Sequence, residues 1–348
     1  MPEIIIFGKV FFLMSFKTRF FRIINPISKC FSFGGFSGFL PAGQLVLVYH
    51  LVSDEDVKHA KHLFPYRSAA QFEKDLDFLS KNFEFINWED YLSRKKTSRP
   101  GILLTFDDGY SEFSDVIAPI LLRKGIFAIH YINPKFIDNK DMMWRNKASL
   151  IVSEIIENES LQRKLIQYTD FGNDLNHDTN SILKINYQNR KKLDDIAIHL
   201  EIDFDNYLLK NPVYLTTSQL NRLKTDGFGF ASHGWDHPLY NQLSLAGQLE
   251  NTQKSFDYMQ EHQFLKDSFA FPFTDHLIKN DFFDSVFRQN PNLKVTFGAA
   301  GLKQDSYPKN IQRIPIEIGT YSAEAILKNE IIYYYLLKSV NKNTINRS

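Results

Sequence analysis

The sequence predicts an α/β fold: a largely parallel sheet, open or closed into a barrel, covered by helices. Three observations lead there. Several apolar runs are continuous rather than alternating, as strands buried on both faces require. Amphipathic segments with a period of about 3.6 residues separate those runs. The strand–helix rhythm holds on both sides of one long irregular stretch, and 348 residues suffice for one large α/β domain or two ordinary ones.

Residues 43–52, GQLVLVYHLV, read as the first buried strand. In SAAQFEKDLDFLSKNF, Ser68 is a suitable N-cap, and Phe72, Leu76 and Leu79 share one helical face. GILLTFDDG (101–109) is the second strand. Phe113, Ile117, Ile120 and Leu121 then mark a helix closed by Gly125, with Pro119 demanding a kink or a restart inside it. IFAIHYIN (126–133) is the third strand. From about 135 to 215 the chain turns polar and rich in Asn and Asp, with helical fragments such as ASLIVSEIIENESLQRKLIQY. A structureless loop of that length would be unusual, so an inserted helical subdomain is expected. The rhythm resumes with the helix TTSQLNRLKTDG, the strand FGFASHGW (228–235) and the helix SLAGQLENTQKSFDYMQEHQ. Strands SFAFPF (268–273), VTFGAA (295–300) and IQRIPIEI follow, then a helix from Ser322 whose IIYYYLLK run reads as a packing face. The expected organisation is an N-terminal segment over 1–42, a core domain over 43–134 and 216–340, and an insertion over 135–215.

The 41 Lys+Arg against 40 Asp+Glu leave a net charge of +1, which gives no global basic surface for nucleic acid. Hydrophobic content of 43% and 32 Phe describe a packed globular protein rather than a disordered one. A single cysteine, Cys30, excludes an internal disulfide and a cysteine-based zinc site. That is compatible with a reducing compartment and equally with an exported enzyme that lacks disulfides. Ile4 to Met14, IIIFGKVFFLM, is broken by Gly8 and Lys9 and is too short to span a bilayer. The following SFKTRFFRIINPISKCF mixes cations with Phe and Ile. It reads as a frayed or locally packed helix, or as a basic amphipathic segment in peripheral contact with a membrane.

In α/β folds functional groups gather at the C-terminal ends of strands. Three polar strand ends stand out: TFDDGY, ASHGWDHP and FAFPFTDH. Asp107 and Asp108 are adjacent like charges at the end of a buried run, an arrangement that calls for a counter-charge. Gly109 after them lets the chain turn so that the two side chains converge. His233 and His237 are spaced i, i+4, which on a helix puts both imidazoles on one face. One carboxylate and two neutral imidazoles form a three-ligand metal site with a position open for water. Either motif alone is weak; together on two strand ends they point to a divalent cation, with the spare acid free to act as a base. His50 can line the site or be a satisfied strand-end histidine. His130 lies in an apolar strand and reads as core. Trp144 and Arg145 open the insertion, either to anchor it or to reach a sugar.

TFDDGY followed by SHGWDHP resembles the two leading motifs of the polysaccharide deacetylase family, the NodB-like carbohydrate esterases of family 4, and FAFPF resembles its third motif in variant form. LVYH (47–50) is similar to the first strand of the exopolysaccharide N-deacetylase branch. The resemblance covers roughly residues 45 to 320. It implies a distorted (β/α) barrel of the NodB type and removal of N-acetyl groups from amino sugars of a bacterial polysaccharide. By the same resemblance Asp107 is the general base, and Asp108, His233 and His237 hold a divalent metal, most often zinc. The backbone N–H of Phe273 helps to hold the oxyanion, and His50 and Tyr110 take the substrate side with it. Two features depart from the family pattern. Ala270 stands where an Arg commonly orients the catalytic Asp, and the late Leu-x-His motif that supplies the general acid has no clean match. His276 is the only histidine after residue 262 and is the candidate acid. Alternatives are a catalytically silent member acting as a glycan-binding or assembly protein, amide hydrolysis on a non-sugar substrate, and an iron oxygenase.

Overall fold

The computed structural model describes residues 16–167 and 175–347; the apolar stretch Ile4 to Met14 lies outside the described residues. The chain forms two compact units. The larger comprises Lys17–Asp54, Tyr66–Lys140 and the chain from Pro212 onward, and the smaller contains Glu55–Pro65 and Asp141–Asn211.

The strands of the larger unit are β1 (Gln44–Tyr49), β2 (Glu84–Phe85), β3 (Gly101–Phe106), β4 (Ala128–Ile132), β5 (Gly229–Ser232), β6 (Ser268–Ala270), β7 (Val295–Gly298), β8 (Gln304–Asp305), β9 (Asn310–Gln312), β10 (Ile314–Pro315) and β11 (Thr344–Ile345). The main sheet runs β10-β1-β3-β4-β5-β6-β7-β9, with β2 added beside β3 and every pairing parallel. β9 and β10 form one segment interrupted only at Arg313. Its first half pairs with β7 (Phe297↔Ile311) and its second half with β1 (Leu47↔Ile314). That segment nearly closes eight parallel strands into the expected (β/α) barrel.

The continuous apolar runs have the predicted cause, burial on both faces. Val46, Leu103, Ile129, Tyr131, Ala231 and Phe297 pack together on one side. Alternating residues such as Leu47, Leu104 and Phe106 pack with the helices on the other. Each such side chain contributes about 1.5–3 kcal/mol. The covering helices include α1 (Phe16–Ser28), α2 (Ala69–Asn82), α3 (Ala118–Lys124), α4 (Thr217–Thr225), α5 (Leu245–Glu261), α6 (Asn280–Gln289) and α7 (Ala323–Ser339). α2 begins with a full capping box from Ser68 to Gln71. Pro119 acts as a restart: a π-turn over Phe113–Ile117 ends and α3 begins with the proline in its first turn, closing on Gly125 at φ 64°. α1 is a packed helix, its Phe20 ring 5.3 Å from Tyr333 and Ser28 Oγ donating to Asn329 Oδ1 at 2.8 Å.

The smaller unit is helical, with Trp144–Glu157, Glu159–Ile166, Leu175–Leu183, Lys191–Leu200 and Phe204–Lys210. Trp144 and Arg145 pack inside it. The Trp144 ring meets Tyr187 edge-on at 6.5 Å, and Arg145 Nη1 donates to the Leu183 carbonyl at 2.5 Å. Among the described residues no helix is long and apolar enough to cross a membrane.

Candidate active site

The acid pair stands at the C-terminal end of β3. Asp107 still follows the sheet, its N–H donating to the Tyr49 carbonyl at 3.0 Å. Asp108 (φ 76°) and Gly109 (φ 77°) are then both left-handed, which turns the chain so that the two carboxylates converge. The turn expected of Gly109 alone is thus shared with Asp108, and an Asp tolerates the conformation better than most residues. It is braced from β4, where His130 Nε2 lies 3.0 Å from the Gly109 N–H and 3.0 Å from the Asp107 carbonyl, tying the ring to both ends of the turn. Burial lowers the His130 pKa to about 4, so the ring is neutral. His130 is therefore more than core filling, because it fixes the backbone that aims the acids.

His233 and His237 follow β5, and here the structure corrects the expected helix. The segment after Ser232 is an irregular loop. Gly234 (φ 75°) and His237 (φ 56°) bend it until the two rings lie 5.1 Å apart. A Cβ at Gly234 would stand 2.9 Å from Asn251 Oδ1 and 2.9 Å from Tyr240 Oη, so only glycine fits there. Asn133 Nδ2 donates to the His233 carbonyl at 2.6 Å, and Asn251 Oδ1 accepts the Trp235 N–H at 2.8 Å.

These loops bring the three predicted ligands together. Asp108 Oδ1 lies 3.0 Å from His237 Nε2 and 3.4 Å from His233 Nε2, and one ligand atom from each residue falls within 4.8 Å of the others. His233 Nδ1 is 2.8 Å from the Ala270 carbonyl, which accepts its N–H and leaves Nε2 as a bare lone pair. Asp108 Oδ1 is buried without a hydrogen-bond partner. A buried carboxylate oxygen that faces two imidazole nitrogens and satisfies none of its own hydrogen-bonding needs suits a divalent cation. Burial by itself would raise the Asp108 pKa, but His237, His233 and His50 hold it well below the usual carboxylate range. Burial outweighs Asp108 at His237 and lowers that pKa, keeping the ring in its ligating form.

Asp107 has a partner that sequence reasoning misses. Arg313, wholly buried between β9 and β10, donates from Nη1 to Oδ1 and from Nη2 to Oδ2, both at 2.7 Å. Its Nε reaches the Gly298 carbonyl at 3.2 Å and its Nη1 the Thr105 hydroxyl at 3.2 Å. Burial would raise the Asp107 pKa; the guanidinium more than offsets this and holds it below the ordinary value. The orienting Arg absent at Ala270 is thus supplied from the barrel seam. The available signal is a lone cation inside the apolar strand IQRIPIEI.

His50 and Glu317 end the neighbouring strands β1 and β10. His50 Nδ1 lies 2.6 Å from Glu317 Oε2, which also accepts the His50 N–H at 2.8 Å, while Oε1 accepts the Leu51 N–H at 3.0 Å. Burial pulls the His50 pKa down, but Glu317, and at longer range Asp108 and Asp107, raise it to about 9. His276 is exposed, and among the described residues it shares no hydrogen bond or ion pair with Asp107, Asp108 or His233. Tyr110, expected on the substrate side, is 1% exposed and stacked on Tyr214, so it offers almost no surface. Phe273 has φ 57°, is 37% exposed and sets its ring 4.3 Å from His237. Its loop is anchored two residues later, where Asp275 pairs with buried Arg347, which also binds Asp305.

Comparisons with known proteins bear on the fold and the family. No curated sequence matches the chain. In fold it is similar to the Streptococcus pyogenes deacetylase PplD in complex with acetate (TM-score 0.53, 14% identity, 82% of this chain and 97% of that one). It is also similar to IcaB from Ammonifex degensii (0.51, 15%, 83% and 97%). A third likeness is the de-N-acetylase from Aggregatibacter actinomycetemcomitans (0.52, 16%, 82% and 99%). The polysaccharide deacetylase model matches residues 94–277, more than half of the sequence and inclusive of TFDDGY, SHGWDHP and FAFPF. With that match the chain belongs to the polysaccharide deacetylase family, and it is a hydrolase of that family's kind.

Proposed function

We propose that this hydrolase is metal-dependent, uses zinc, and removes N-acetyl groups from amino sugars of a bacterial surface or extracellular polysaccharide. The observation that carries the reading is the unsatisfied Asp108 Oδ1 facing two imidazole nitrogens, with a second ionised acid beside it. Asp108, His233 and His237 would hold the cation, which supplies Lewis acidity for the acetamide carbonyl and lowers the pKa of water. Asp107 receives the proton of the attacking water on a carboxylate oxygen. Arg313 keeps that carboxylate ionised and fixes its plane. The Phe273 N–H is a donor for the developing oxyanion. A bond forms from water oxygen to the acetyl carbon, the C–N bond breaks, and the leaving nitrogen needs a proton.

His50 is better suited than His276 to give that proton. It follows the strand beside Asp107, its Nδ1 is held by Glu317, and that carboxylate raises its pKa to about 9, so the ring carries a proton to give at neutral pH. Acetate release from N-acetylated oligosaccharides by wild type and Asp107→Asn tests the assignment. Equal release by the two proteins would strip Asp107 and its neighbours of any hydrolytic part. Metal content of protein purified without added metal tests zinc.

A further inference from the structure

A surface of the larger unit is built unlike the rest of the chain. Residues 17–53 hold no Asp or Glu, yet they carry Lys17, Arg19, Arg22 and Lys29, in a protein whose charges otherwise nearly cancel. Lys17 is spent on buried Glu330. The outward face of α1 follows helical spacing through Arg19, Arg22, Ile23, Pro26 and Ile27, all exposed. Ile23 is 71% and Ile27 56% exposed, while the opposite face, with Phe21, Asn25 and Ser28, is buried against the α7 side of the fold. The surface continues past the helix: Phe31 is 58% and Phe39 57% exposed, and Phe39 meets the exposed Tyr335 of α7 edge-on at 6.1 Å. α7 adds exposed Leu336 and Lys338, and no acid occurs from Ile331 onward.

We propose that this face docks on an anionic lipid bilayer. Scattered exposed aliphatics are ordinary, but a helix stripe of them flanked by cations and joined to exposed aromatics, with the one acid at its edge, Glu324, paired to Lys328, is the chemistry of the headgroup boundary. The Ile and Phe side chains enter the acyl edge, and the Arg and Lys heads remain with the lipid phosphates. A protein partner fits less well, because it would have to supply acids and apolar groups in the same alternation, whereas an anionic membrane offers both everywhere. Docking would hold the catalytic unit at a membrane while the strand-end site works on a polymer.

The test is co-sedimentation of the full chain with phosphatidylglycerol/phosphatidylcholine vesicles and with pure phosphatidylcholine vesicles. Ile23→Glu/Ile27→Glu and Arg19→Glu/Arg22→Glu are compared with wild type. Wild type should pellet with the anionic vesicles, and each double variant should partition at least about tenfold more weakly at unchanged melting temperature. Wild type remaining in the supernatant, or variants that bind as well as wild type, would overturn the proposal. So would a wild-type dimer in vesicle-free solution that the same substitutions dissolve, since the occupant would then be a second copy. Acetate release from a soluble substrate is read in parallel and should stay unchanged, so docking and catalysis fail separately.

Discussion

Arg313 offers the sharpest test of how the site works. Arg313→Met keeps most of the apolar volume and removes the guanidinium. Asp107 then loses two hydrogen bonds of 2.7 Å, and the Gly298 carbonyl and Thr105 hydroxyl each lose a donor. Breaking a buried ion pair from one side costs about 3–5 kcal/mol, because the remaining charge is left uncompensated. The melting temperature should fall by roughly 5–15 °C. The pH dependence has a definite sign. The folded-state pKa of Asp107 lies below its ordinary value, so the pair stabilises above the unfolded carboxylate pKa and is lost as pH falls through the folded one. The gap between wild type and variant is therefore widest at neutral pH and narrows in acid. Without the guanidinium the Asp107 pKa rises, and the acidic limb of kcat/KM moves to higher pH. Adding Asp107→Asn to Arg313→Met should restore much of the lost stability and none of the activity. A double variant no more stable than the single one, or a single variant that melts like wild type, would refute the coupling.

Three further outcomes follow from the same geometry. His50→Asn should reduce kcat roughly 10²–10⁴-fold, and Glu317→Gln should draw the alkaline limb of the pH–rate profile below its wild-type place, since Glu317 is what raises the His50 pKa; rate profiles from about pH 6 to 10 check both. Chelation should abolish acetate release and lower the melting temperature, with recovery on zinc addition, while Asp108→Asn should bind no stoichiometric metal by elemental analysis. His130→Phe should cost about 1–3 kcal/mol in denaturant unfolding, because the Gly109 N–H loses its buried partner, and should lower kcat more than it raises KM.

The sequence discloses those parts of the site whose chemistry breaks a local pattern. Asp107 and Asp108 interrupt an apolar strand, and His233 and His237 interrupt another, so both stand out without any knowledge of the fold. Ser68, Pro119 and Gly125 carry cap, restart and stop signals that act within a few residues, and the structure shows each of them. The partners are harder, because their spacing is set by the barrel and not by the chain. Arg313 reaches Asp107 across 206 positions and Glu317 reaches His50 across 267. His276 draws attention because it lies near a motif in sequence, which is no guide to distance across parallel strands. The His233–His237 spacing suggests a helix; two left-handed residues achieve the same convergence in a loop, and periodicity cannot register them.

The join between first and last strands is thin: two residue pairs tie β10 to β1, whereas six tie β1 to β3. Arg313 sits within that join. Any parting of β10 from its neighbour therefore withdraws the guanidinium from Asp107 at the same moment, and a buried carboxylate left alone takes up a proton. The opening of this thin join and the readiness of the base are one event, so an unzipped molecule idles while most of its sheet still stands. Under rising denaturant, turnover would disappear ahead of the bulk of the secondary structure.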